Sequence, residues 1–137
     1  PGLRLVMAAE EVPAGRYARH FLTKAADVLG ADYGNRVVAN VVSYELNVRA
    51  VLTKVMLGEA DAGIVYRSDG NPSQTDEVAL LEIPADLNVQ AVYYIAPVAD
   101  DQVNPLARDF ISFILSDEGQ AIMQRHGFVP LADAGLD

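Results

Sequence analysis

Apolar positions recur along this chain at two different spacings, and the change from one to the other outlines its elements. Leu3 to Ala8 alternate and then run apolar, which predicts a strand. Beyond Pro13, a residue suited to a first helical turn, Tyr17, Ala18, Phe21, Leu22, Ala25 and Leu29 return every three or four positions. That spacing predicts an amphipathic helix over 13–29, stopped by Gly30. The β-branched run Arg36 to Val42 predicts a strand. Asn47 is a good N-cap for a helix carrying Val48, Val51, Leu52, Val55 and Met56 on one face and stopping at Gly58. Ala62 to Tyr66 predicts a short buried strand, and Ser68 to Asp76 a polar loop.

Val78 to Ile83 and Val89 to Val98 have strand character, with Tyr93 and Tyr94 expected as one inward and one outward ring. Asn104-Pro105 opens a helix with Leu106, Phe110, Phe113 and Ile114, and Ser116 caps another that stops at Gly127. The order β-α-β-α-β, then strands, then two helices is an α/β pattern, with a linker expected near 99–104.

Composition narrows the classes. The 137 residues, 51% hydrophobic and 21% charged, suit one compact core or one lobe of a larger protein. No apolar run approaches the ~20 residues of a membrane-spanning helix. A net charge of −9 with no basic stripe speaks against nucleic-acid partners. The same charge repels a small anion at long range, so any anion site must work through short-range donors. With no Cys, disulfides and thiolate metal sites are excluded. The sequence starts at Pro1 with no initiator Met and no leader pattern, and is read as a fragment or processed piece.

Three positions are candidate ligand donors. Val12-Pro13-Ala14-Gly15 and Asn47-Val48-Arg49 each open a helix, where backbone N–H groups lack intrahelical acceptors and favour anions. Pro13 has no N–H, so Ala14 offers the first one, and small neighbours let a ligand come close. The Asn47 side chain is expected to take an N–H one turn in, leaving that of Val48 available. Tyr66, at the end of a strand, can donate a phenolic hydrogen without bringing charge. The ordinary alternatives are two unremarkable helix starts and a tyrosine packed on a loop. His20 and His126 stand in helices without metal-ligand spacing, and Asp61, Asp69 and Glu10-Glu11 are read as solvated turns. No nucleophile–base pair or phosphate loop is present, so neither catalytic residues nor an enzyme is expected.

The runs VPAGRYA (12–18), NVRAVLTKV (47–55), GEADAGIVYRSD (58–69) and NPLARDFISFILSDEGQAIMQRHGF (104–128) resemble the bacterial molybdate-binding proteins of ABC uptake systems. The resemblance implies one lobe of a type II periplasmic-binding-protein fold plus C-terminal helices. It implies that 1–99 is the second, ligand-binding lobe and that 100–137 packs on a first lobe missing from this sequence. It implies a molybdate or tungstate dianion as ligand, held by Ala14, Val48 and Tyr66, with no cofactor and no direct metal-cation ligand. An ABC permease partner and a periplasmic or extracytoplasmic place, with a lipoprotein anchor compatible, follow from the same likeness. Without the first lobe, Phe110, Phe113, Ile114, Ile122 and Met123 are expected to lose cover, so the isolated chain should self-associate or rearrange its tail. The alternative reading is a ligand-sensing effector domain of a transcription regulator with the same lobe fold.

Overall fold

Val6, Met7 and Ala8 are at most 1% exposed, and the strand they form, β1 (Leu5–Ala8), is the centre of a three-stranded parallel sheet. The computed structural model describes residues 2–70, 78–98 and 104–134, which divide into two compact units, Pro1–Ala91 and Val92–Asp137. In the first unit β1 leads to α1 (Pro13–Leu29), α2 (Tyr33–Val38), β2 (Val41–Glu45), α3 (Val48–Met56) and β3 (Ala62–Gly63). The strand order is β2-β1-β3, so the chain winds to one side of β1 and then crosses to the other. In the second unit α4 (Pro105–Leu115) and α5 (Asp117–Arg125) precede a 3-10 turn, Leu131–Asp133. The α/β class expected from the sequence is present, consistent with part of a periplasmic-binding-protein fold.

Alternation along β1 builds two cores. Val6 and Ala8 join Ala14, Val51 and Ala60 on the α3 side, while Met7 joins Ala18 and Leu22 on the α1 side. The α1 helix keeps its small residues where it touches the sheet. A Cβ on Gly15 would stand 2.0 Å from the Ala9 carbonyl oxygen, a distance no side chain tolerates. Gly58, at φ +71°, ends the turn after α3, as a glycine beyond a helix commonly does.

Several expectations need correction. Arg36 to Val38 belong to α2, and the strand starts only at Val41. Tyr33 and Val37, one helical turn apart, both pack against the Met7–Leu22 cluster, and that burial outweighs β-branched propensity. The strand expected over Ala62 to Tyr66 is two residues long, because β3 pairs with β1 only at Leu5↔Ala62 and Val6↔Gly63. Val78 to Ile83 and Val89 to Val98 form no strand. Propensity alone provides no partner, and none of the described strands pairs with them. Tyr93 and Tyr94 are both exposed rather than divided between faces, with the Tyr93 ring meeting Phe128 edge-on at 5.9 Å. Of the expected polar loop, Asn71 to Asp76 lie outside the described residues, as does the linker expected at 99–104 except for Asn104.

The C-terminal helices start where the sequence places them. Asn104 Oδ1 accepts from the Leu106 N–H at 3.0 Å, and Ser116 Oγ accepts from the Gly119 N–H at 3.2 Å. Gln120 fastens α5 at both ends of its amide. It donates to the Ile114 carbonyl at 2.8 Å and accepts from the Leu131 N–H at 2.9 Å.

Candidate functional site

Because the three strands are parallel, the segments that follow them emerge at the same edge of the sheet. This is the carboxyl edge, where α/β proteins usually bind ligands. After β1, the Val12 N–H donates to the Ala9 carbonyl at 3.0 Å and turns the chain into α1. Val12 is extended, Pro13 is the first helical residue, and no side chain caps this end. The Gly15 and Arg16 N–H groups both donate to the Val12 carbonyl, at 2.9 and 3.2 Å. Ala14, 5% exposed, lies between Gly15 and a proline that has no N–H.

After β2, Asn47 is extended and its Oδ1 accepts from the Ala50 N–H at 2.8 Å. The capping bond thus falls one turn in, as the sequence predicts, and does not use the N–H of Val48. After β3, Tyr66 is half-buried and its ring meets that of Tyr17, on α1, edge-on at 6.3 Å. Val48 and Tyr66 both pack against the buried cluster that contains Ala14. Three segments far apart in sequence are therefore brought around one apolar cluster at one edge of the sheet.

The polar surroundings differ from the sequence expectation. Asp69 is no solvated turn. Its Oδ2 accepts from the Tyr66 N–H at 3.3 Å, and its own N–H donates to the Tyr66 carbonyl at 3.0 Å. Burial pushes the Asp69 carboxyl above its ordinary range, opposed by the Tyr66 N–H and by the charge of Arg49. Asp61 is exposed, as expected, but is also paired with the Arg4 guanidinium at 2.7 Å and accepts from the Arg4 backbone N–H at 2.7 Å. Those contacts hold its carboxyl below the usual range.

At the end of β2, Glu45 pairs with Lys54 of α3 at 2.7 Å, and Lys54 also donates to Ser43 Oγ at 2.9 Å. Lys54, then Ser43, lower the Glu45 carboxyl against its desolvation. Arg19 donates to the Gly15 carbonyl at 3.0 Å and stacks over the Tyr44 ring at 5.4 Å. Sequence reasoning missed most of these roles because Arg4 and Asp61, Glu45 and Lys54, and Arg19 and Tyr44 pair between segments far apart in the chain or on different elements. Asp69 left a local signal, since an Asp side chain can bond backbone three residues before it. Among the described residues no group of His, Cys, Asp or Glu is placed to hold a metal ion, and no helix is long and apolar enough to cross a membrane.

Residues 1–129 match the family described as bacterial extracellular solute-binding protein. The molybdate-binding protein ModA of Mycobacterium bovis is 35% identical over 128 residues, 93% of this chain and 45% of that protein. A putative ABC transporter substrate-binding lipoprotein, YvgL, of Bacillus subtilis is 33% identical over 87% of this chain and 43% of its own length. ModA of Haemophilus influenzae is 32% identical over 85% of this chain and 42% of its own. The chain thus spans less than half the length of these curated relatives. No solved structure matches it. Matched along nearly its whole length, the chain belongs to the bacterial extracellular solute-binding proteins.

Proposed function

We propose that this chain forms the second lobe of a solute-binding protein serving an ABC uptake system, and that it captures a tetrahedral oxyanion, molybdate or tungstate. The Ala14 and Val48 N–H groups and the Tyr66 hydroxyl are the donors in this reading. The observation that carries it is the gathering of all three residues around one cluster at the carboxyl edge of a parallel sheet. Relatives named as molybdate-binding support the choice of anion.

An acidic chain can hold a dianion in this way because helix-start dipoles act within the first turn, where whole-chain repulsion matters less. Hydrogen bonds to a charged group are each worth about 1.5–3 kcal/mol net. Closure of a first lobe over the anion would exclude water and complete the donor set, and no bond is made or broken. Sulfate, also a dianion with four acceptors, is rejected by cavity size. Residues 100–137 cover the first lobe in the whole protein, which works outside the cytoplasmic membrane, free or lipid-anchored, and delivers its anion to a membrane permease.

The test is calorimetric titration of the full-length protein with molybdate and with sulfate. Tyr66→Phe is expected to weaken molybdate binding by about 1–3 kcal/mol, one such bond. Unchanged affinity removes Tyr66 from the site, and a full-length protein that takes up no molybdate overturns the function.

A further inference from the structure

We infer that Asp69 is a positioning residue for the anion site: its carboxylate holds the turn that presents Tyr66. The inference rests on the reading of Tyr66 as a donor. Strand pairing ends at Gly63, so the ladder no longer fixes the backbone by the time the chain reaches Tyr66. Its ring packs on the buried cluster and on Tyr17, and its backbone is held by a reciprocal pair of hydrogen bonds. The Tyr66 N–H donates to Asp69 Oδ2 at 3.3 Å, and the Asp69 N–H donates to the Tyr66 carbonyl at 3.0 Å. The Gly70 N–H closes the same turn on the Arg67 carbonyl at 3.3 Å. Gly70 itself is buried beneath Leu80, whose side chain occupies the space a Cβ would need.

A carboxylate partly withdrawn from water carries a desolvation cost, which a turn on an open surface avoids. Asp69 accepts that cost in a place where two local interactions oppose it, the Tyr66 N–H and the charge of Arg49. Arg49 directly follows Val48 at the start of α3. One side chain therefore bears on two of the three donor positions, by a hydrogen bond at Tyr66 and by charge next to Val48.

Two functions of Asp69 predict opposite results. As a positioning group it is needed as an acceptor, and Asn can replace it. As a bare negative charge it would only repel the anion, and its removal by either Ala or Asn would tighten binding.

The experiment uses the full-length protein and inorganic molybdate. Affinity is measured for Asp69→Ala and Asp69→Asn, each with and without Tyr66→Phe, and the exchange rate of the Tyr66 amide hydrogen is measured for both single variants. Asp69→Ala is expected to weaken molybdate binding about tenfold, and Asp69→Asn by no more than about threefold. In the Tyr66→Phe background, Asp69→Ala should change affinity less than about twofold, because its effect passes through Tyr66. The Tyr66 amide should exchange about tenfold faster in Asp69→Ala and keep most of its protection in Asp69→Asn. Additive losses, an Asn variant as weak as the Ala variant, tighter binding in either, or an unchanged Tyr66 amide would overturn the proposal. Should the unsubstituted protein bind no molybdate while the amide responds as expected, the anion reading fails and the fixing of Tyr66 by Asp69 stands.

Discussion

Gly15 shows how a single missing methyl group sets the relation between a helix and a sheet. The hydrogen in place of its side chain lets the first turn of α1 lie against the carbonyl oxygens of Ala8 and Ala9. The smallness of Val12-Pro13-Ala14-Gly15 was legible, but its use was not. At Gly15 it admits the end of β1 rather than a ligand, and only Ala14 remains as a candidate for contact with one. Gly15→Ala is expected to destabilise the fold by about 1–3 kcal/mol, the usual range for forcing an extra carbon into a filled space. Urea denaturation measures this directly, and a midpoint within error of the unsubstituted chain would contradict the close contact. In the proposed reading, where the Ala14 N–H is a donor, the same substitution in the full-length protein should also weaken molybdate binding, since it displaces that neighbour.

At the scale of elements, what could be read was what is local. The starts of α1, α3, α4 and α5 are written in Pro13, Asn47, Asn104-Pro105 and Ser116, each acting within a few residues of itself. Strands were harder, because the partner decides. Val78 to Ile83 has strand composition without a ladder, and Arg36 to Val38 coil into α2 because Val37 finds a core there. The three candidate positions could be named from the sequence, but not what surrounds them, since the Tyr17 ring meets that of Tyr66 and Arg49 acts on Asp69 across elements.

The Lys54–Glu45 contact joins α3 to β2 and has a pH signature. Glu45 is lowered from its ordinary 4.5 in the fold, chiefly by Lys54. A lowered carboxyl adds stability above its unfolded value and loses it as pH falls through the folded one. The urea midpoint should therefore decline as pH drops below 4.5, with Asp61, lowered from 3.8 by Arg4, adding to the fall at more acid pH. Lys54→Met should flatten the part of the decline that belongs to Glu45. An acid limb identical in both proteins would show that the pair contributes nothing to stability.

At the scale of the whole chain, α4 leaves large apolar side chains uncovered. Leu106 is 68%, Phe110 56% and Leu115 52% exposed. A patch of that kind favours association. The isolated 137-residue chain is expected to form concentration-dependent oligomers in sedimentation velocity, and Phe110→Ser to reduce them. A single monomeric boundary from micromolar to near-millimolar concentration would rule this out. The longer protein, in the proposed reading, turns the same surface inward against its first lobe and should remain monomeric under those conditions.

The central position of β1 has a further consequence. Ala14, Val48 and Tyr66 each follow a different strand, so what brings them to one edge is the pairing of β1 with both of its neighbours. In the proposed reading such a receptor exists only while its sheet is intact, and guest and architecture then share one equilibrium. Each tenfold rise in free anion above its dissociation constant should deepen the native state by about 1.4 kcal/mol. Cargo would thereby act as a staple that stiffens its carrier until it is handed over.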